Sequence, residues 1–108
     1  IRSAADSFSN VHFLEKDAVT IGDITFLGTT LWTDFRIFGD GEALQTTMRV
    51  SKNSVRDFQV IYKPSADNKF RKFDPQDAAA LFEENKAWLE RELEGRDPQK
   101  TVVVTHHA

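Results

Sequence analysis

The sequence predicts a small domain of the α/β class, with layered helices and strands (α+β layered). Three observations carry this prediction. Two alternating apolar runs flank Gly22-Asp23, as in a β-hairpin. Residues 75–94 have the apolar spacing of an amphipathic helix. The run TVVVT that follows this helix is typical of a buried strand. A hairpin, a helix and a further strand in this order indicate a layered domain.

The composition fits one domain and excludes several classes of protein. The 108 residues are 40% hydrophobic and 29% charged, as in ordinary globular chains. The net charge is -3 and no basic run occurs, so we expect no nucleic-acid platform. The absence of cysteine excludes disulfides and thiolate metal sites. No apolar run has membrane-spanning length and no export signal is evident, so we expect no membrane partner and a cytoplasmic location.

The first third of the chain predicts a helix end and three strands. Residues 1–10 have the composition of a helix tail that closes at Asn10, and residues 11–15 that of a short strand. Glycine at the first position of a two-residue loop, as in Gly22-Asp23, suits a type II′ turn. The arms of this hairpin alternate apolar and polar positions, with the apolar ones at Val19, Ile21, Ile24 and Phe26.

The middle of the chain predicts irregular structure. Residues 33–41 contain two glycines and form a loop. Residues 42–62 have helical apolar spacing that Asn53-Ser54 interrupts, which predicts one broken helix or two short ones. Residues 63–75 are polar and predict a further loop that carries two phenylalanines.

The last third predicts one long amphipathic helix and a buried strand. Asp74 suits the N-cap, Pro75 the first turn and Gly95 the C-terminal stop. A short polar loop then leads to a strand at 102–105, for which we expect a central position covered on both faces. The apolar stripe of the helix consists of Ala78, Leu81, Phe82, Trp88, Leu89 and Leu93.

Two histidines, His106 and His107, follow the last predicted strand. In open α/β sheets, ligands gather outside the carboxyl ends of strands, so these two histidines are candidates for a metal or catalytic role. Neighbouring residues of a regular strand point to opposite faces, so we expect one imidazole rather than both to face a site. A polar strand end without function is the alternative interpretation.

Other residues are weaker candidates. Trp32 and Asp34 follow the second hairpin arm, where substrate contacts also gather, although core packing and loop capping are the simplest explanation of them. His12 is expected to be structural or exposed, and Asp23 a hairpin tip rather than a metal ligand. A further set either lines an anion pocket or is dispersed surface charge: Arg49, Lys52, Arg56 and Asp57.

Four stretches, taken in order, resemble a known family: VHFLEKDAVTIGDITFLGTTLWTDF, SVRDFQVI, NKAWLERELE and KTVVVTHHA. They are similar to the middle-to-late portion of small bacterial calcineurin-like metallophosphoesterases. The resemblance implies an αββα sandwich of two face-to-face sheets with helices outside. It also implies hydrolysis of phosphomonoesters or phosphodiesters by two divalent metals, Mn, Fe or Zn, held at strand ends.

The resemblance implies a role for particular residues and a missing part of the site. His106 corresponds to a metal ligand and His107 to a catalytic residue that faces the substrate. The family's Asp-x-His, Gly-Asn-His and Gly-His-x-His motifs do not occur in this sequence. We therefore expect residues 1–108 to be a partial domain of a larger phosphoesterase, inactive alone and without tight metal binding. The alternative is a truncated remnant that forms a homodimer through an exposed sheet edge and has no catalytic activity.

Overall fold

The structure, a computed structural model, describes residues 1–67 and 69–107. It is a mixed α+β fold with helices and two sheets. In chain order the elements are α1 (Arg2–Asp6), β1 (Asp17–Ile21), β2 (Ile24–Thr30), α2 (Glu42–Ser54), α3 (Asp57–Val60), β3 (Tyr62–Pro64), β4 (Phe70–Lys72), α4 (Pro75–Leu93) and β5 (Thr101–His106).

The chain forms two compact units. The first unit comprises residues 1–31 and 85–107, and the second comprises residues 32–84. Helix α4 begins in the second unit and ends in the first. None of the helices in the described part of the chain combines the length and apolar character needed to cross a bilayer.

A three-stranded sheet in the order β1-β2-β5 organises the first unit. Strands β1 and β2 are antiparallel and form the predicted hairpin, with Ile21 opposite Ile24. Gly22 has a φ of +65° and Asp23 has no positive φ, as a type II′ turn requires. Strands β2 and β5 are parallel. The alternation in the sequence therefore predicted both the hairpin and its turn correctly.

The prediction that the last strand is central and buried is wrong. β5 forms one side of the sheet, and within residues 1–67 and 69–107 no other strand pairs with its outer edge. Val102, Val103 and Val104 are 40%, 42% and 52% exposed. A β-branched run has the same preference for extended backbone at an edge as at the centre. The number of neighbouring strands, which the run itself does not encode, decides its burial.

The two faces of this sheet differ in burial. Leu27 and Thr29, which share one face, are 0% and 4% exposed. On the other face Leu14 packs directly over Gly28, so that a Cβ added at Gly28 would lie 2.5 Å from the Leu14 Cβ. Glycine at this position therefore lets a non-strand segment approach the sheet.

Two predictions for the N-terminal segment are wrong. Helix α1 ends at Asp6 rather than Asn10, and the Ser7 hydroxyl donates to the Ala4 carbonyl at 2.6 Å. Residues 11–15 form no strand, because side chains rather than a backbone ladder fasten them: Leu14 packs on Gly28, and Glu15 is bound by threonines of β2. Local composition does not distinguish these two ways of holding an extended segment.

An aromatic core organises the second unit. Phe35, Phe58 and Phe73 are buried together with Ala78, and Trp32 packs against them. The ring centroids of Trp32 and Phe73 lie 4.9 Å apart. The predicted break in the helical region is confirmed, since α2 ends at Ser54, Val55 has extended dihedral angles and the separate α3 follows.

The predicted loop at 63–75 contains a second sheet instead. Strands β3 and β4 are antiparallel, with Lys63 opposite Arg71. Both cations bind Asp77 on α4: the Lys63 Nζ lies 3.0 Å from it, and two guanidinium nitrogens of Arg71 lie 2.8 and 2.7 Å from it. The like charges of Lys63 and Arg71, which made this segment resemble a loop, are thus bridged by one carboxylate that offsets part of their repulsion.

Helix α4 begins at Pro75 as predicted and ends at Leu93, one residue before the predicted end. The amide of Asp77 donates to the Asp74 carboxylate at 3.1 Å, and the amide of Asp74 donates to the Asp77 carboxylate at 3.0 Å. This reciprocal pair is a capping box. Gly95, with a φ of +77°, follows the last turn. Hydrogen bonds from Arg71 hold the pKa of Asp77 far below its ordinary value of 3.8, against the opposing effect of burial.

We predict that Asp77→Asn lowers the free energy of unfolding at pH 7 by about 1–2 kcal/mol, because two cations and a cap lose their anion. Because the folded-state pKa lies below the ordinary 3.8, the stabilisation is complete above about pH 4 and is lost as the pH falls below it. Urea unfolding followed by circular dichroism at several pH values measures this difference. Glu83→Gln, an exposed change on the same helix, is the control. A difference from wild type that is as large at pH 2 as at pH 7 would contradict the prediction.

We also predict that Gly28→Ala lowers the free energy of unfolding by about 1–3 kcal/mol, because the new Cβ overlaps Leu14. Thermal and urea unfolding give the measurement, and Thr20→Ala, which removes only an exposed hydroxyl contact with Thr25, should change stability by only about 0.5 kcal/mol. Equal stability of the Gly28→Ala and wild-type proteins would show that residues 11–15 do not pack on the sheet as described.

Candidate functional site

The carboxyl end of β5 lies beside the carboxyl end of β2. The two strands are parallel, and His106 is the register partner of Thr30. The amide of Leu31 donates to the His106 carbonyl at 2.9 Å, which extends the ladder one residue past β2. The backbone of His106 is therefore fixed by the sheet, while its side chain is exposed. This is the strand-end position that the sequence predicted for a ligand.

The two imidazoles lie side by side rather than on opposite faces. Their ring centroids are 5.8 Å apart, with an interplanar angle of 17°. The expectation of opposite faces holds only within a regular strand, and β5 ends at His106. His107 lies beyond that end and is also exposed. Both rings thus border one region of solvent.

Glu15 lies close to the end of β2 and is held as a carboxylate. It accepts hydrogen bonds from the Thr29 hydroxyl at 2.9 Å, the Thr30 amide at 3.2 Å and the Thr30 hydroxyl at 2.7 Å. Burial raises the pKa of Glu15, but the hydrogen bonds from Thr30 and Thr29 outweigh it, so the net pKa is lowered. The ionised carboxylate fixes residues 11–15 against the sheet and gives the site a negative charge.

Asn85 lies beneath the same strand end and is 2% exposed. Its amide nitrogen donates to the Thr30 carbonyl at 2.7 Å, which ties α4 to the end of β2. Its side-chain oxygen has no hydrogen-bond partner among the described residues. A buried oxygen in this state costs about 1–3 kcal/mol. The hydrogen bond from the amide nitrogen to Thr30 is the contact that holds Asn85 at this position.

An open groove of about 470 Å³ runs along the exposed face of the sheet to this strand end. Its walls are mostly apolar, and its polar side chains include His12, Glu15 and His106. Within the described part of the chain, however, no three His, Cys, Asp or Glu side chains are placed to hold a metal ion together. The residues present therefore do not fit a complete metal site. His106 offers one ligand at a rigid position.

Trp32 and Asp34, predicted as substrate contacts, belong to the second unit. Trp32 packs in the aromatic core, and the Asp34 carboxylate accepts a hydrogen bond from the Arg36 amide at 3.0 Å. The next residue, Phe35, is buried with a φ of +64°, a strained conformation for a bulky side chain. Packing and loop capping explain these residues, and a role in substrate binding stays a prediction.

Only two of the basic residues that the sequence suggested for an anion pocket line a common groove. Arg49 and Lys52 line a groove of about 370 Å³, together with Asp74 and Gln76 at the start of α4. Arg56 lies at the beginning of α3 and does not line this groove. The carboxylate of Asp74 offsets part of the positive charge, so this groove is a weaker anion site than the sequence suggested.

Sequence reasoning missed Asn85 and Glu15. A signal existed for Asn85, because it occupies the apolar side of α4, between Leu81 and Leu89 at four-residue spacing. A polar residue within an apolar stripe indicates a buried hydrogen bond. No comparable signal existed for Glu15, whose partners lie 14 and 15 residues away in a strand.

Comparisons with known proteins, made by family, by curated sequence and by solved structure, find no match to this chain.

We predict that Asn85→Asp destabilises the fold strongly at pH 7, because a buried carboxylate would face the Thr30 carbonyl. Burial raises the pKa of such a carboxyl, so the loss should shrink as the pH falls from 7 to 5 and the group becomes a donor. Urea unfolding at several pH values gives the measurement. Asn85→Ala is the matched control, and its loss of about 1–3 kcal/mol should not change over that range. Parallel pH profiles for the two variants would contradict this interpretation.

Proposed function

We propose that the chain is a segment of a metal-dependent phosphoesterase that hydrolyses phosphomonoesters or phosphodiesters, and that His106 is one of its metal ligands. The observation that supports the proposal is the position of His106 at the carboxyl end of β5, beside the end of the parallel strand β2. An αββα sandwich is the fold proposed for the whole domain, of which this chain would form the sheet β1-β2-β5 and helix α4.

The chemistry of His106 supports the proposal. Neutral imidazole is a ligand for Mn, Fe and Zn ions, and such ions polarise phosphoryl oxygens and activate water. A strand end held by backbone hydrogen bonds gives the ligand a fixed position. One imidazole does not hold two metals, so the remaining ligands would come from other segments. We therefore propose no catalysis by these 108 residues alone.

His107 is the proposed catalytic residue next to the ligand. Its ring lies beside that of His106, and it is exposed. An imidazole in that position suits hydrogen bonding to a phosphoryl oxygen or proton transfer to a leaving group. Trp32 and Asp34 remain the proposed substrate contacts.

The decisive experiment is to sequence the source DNA on both sides of this coding segment. The proposal expects an open frame that encodes Asp-x-His and Gly-Asn-His motifs upstream and Gly-His-x-His downstream. A frame that encodes none of these motifs would overturn it.

We predict that Zn²⁺ or Mn²⁺ binds this chain only weakly, with a dissociation constant on the order of 1 mM, because a single ligand contributes little. Isothermal titration calorimetry measures the affinity, and Zn²⁺-induced shifts of the imidazole NMR signals identify the ligand. The signals of His106 should respond first, and His106→Ala should remove the response while His12→Ala, at the other groove histidine, retains it. Micromolar binding that His106→Ala abolishes would contradict the claim of an incomplete site.

A further inference from the structure

The outer edge of β5 has the features of a strand that pairs with another strand. Within the described ranges it has no neighbour on this side, and its three valines are 40–52% exposed. An edge of this kind, apolar and without Lys, Pro or a bulge, presents unpaired backbone groups as a template for association. The inference is made for the 108-residue chain and concerns the edge of β5, whereas the proposed function concerns the end of that strand.

The sequence of β5 is suited to pairing with β5 of a second copy of this chain. Residues 101–105 read TVVVT, which is the same in both directions. When two copies pair antiparallel about Val103, this residue lies opposite Val103 of the second copy. Thr101 then lies opposite Thr105 of the second copy, and Val102 lies opposite its Val104. Each pair is of a favourable cross-strand type, either Thr with Thr or Val with Val. A two-fold axis through the Val103 pair then relates the copies, as in an isologous dimer.

The charges and the area agree with this arrangement. No charged residue lies between Thr101 and Thr105, so no like charges meet within these five positions. The Nζ of the adjacent Lys100 lies 3.7 Å from the Asp23 carboxylate of its own chain. The contact is a single strand about 20 Å long, since each residue rises about 3.4 Å. Such a contact buries less than about 1,200 Å² in total, which is the size of a weak, transient interface.

We propose that two copies of this chain associate through β5 in the antiparallel register centred on Val103, forming one continuous six-stranded sheet. The register also joins the apolar faces, because Val102 and Val104 are partners of Phe26 and Gly28 on the groove side of each sheet. The dimer is concentration dependent, with a dissociation constant between about 10 µM and 1 mM.

A disulfide test reads the register directly, because the chain contains no cysteine. Val103→Cys places two thiols opposite each other at the axis, and mild oxidation should yield a covalent dimer. Val102→Cys is the matched control, since its two Cα atoms would lie about 8 Å apart by strand geometry, beyond the reach of a disulfide. Equal cross-linking of the two variants would overturn the register.

Sedimentation equilibrium tests the association itself. Val103→Lys sets two like charges opposite each other and should weaken the dimer at least tenfold, whereas Val103→Thr should change it little. Val11→Lys, an exposed position outside the strands, should leave the dissociation constant unchanged. Circular dichroism confirms that each variant is folded. A wild-type chain that stays monomeric up to about 1 mM, or a Val103→Lys chain that dimerises as well as wild type, overturns the proposal.

Discussion

The parallel pairing of β2 with β5 is the constraint on which the first unit depends. These strands are far apart in the chain, and their six-pair register from Thr25–Thr101 to Thr30–His106 brings the two segments of the unit together. The pairing leaves Leu27 fully buried and fixes the backbone of His106 beside the end of β2. It also leaves the other side of β5 without a neighbour in the described chain. The position of the candidate ligand and the unpaired edge of β5 therefore both result from the pairing of β2 with β5.

Two carboxylates fasten short segments to neighbouring elements of the fold. Glu15 binds the extended segment 11–15 to the end of β2, and Asp77 binds the β3–β4 hairpin to α4 while it caps that helix. Hydrogen bonds lower the pKa of both groups, so both stay ionised at neutral pH. In each case a charged side chain adds directed hydrogen bonds to the apolar packing that attaches the segment. The fold should accordingly loosen first in these two places when the solution is acidified.

The sequence predicted local elements well and non-local placement poorly. The β1–β2 hairpin and α4 carry their own signals, namely the glycine of a type II′ turn and an Asp-Pro start with a glycine stop. The position of β5 depends instead on how many strands flank it, and β3 and β4 depend on Asp77, which offsets their charges. The same division applies to the site. The strand-end position of His106 was predicted because the residue follows a β-branched run, whereas the burial of Asn85 was missed because its partner Thr30 is 55 residues away.

The strand-end site and the edge dimer share β5 but remain chemically separate. In the register centred on Val103, His106 lies opposite Lys100 of the second copy, so the two His106 residues are six positions apart along the paired strands. That separation is about 20 Å. Ligands of one metal ion lie within about 4 Å of each other, because each is bound at about 2 Å from the ion. The proposed dimer would therefore not complete the proposed metal site, so we expect a change at Val103 to alter association and a change at His106 to alter metal binding. The two proposed roles of the strand are independent of each other, because an antiparallel axis points the two carboxyl ends in opposite directions.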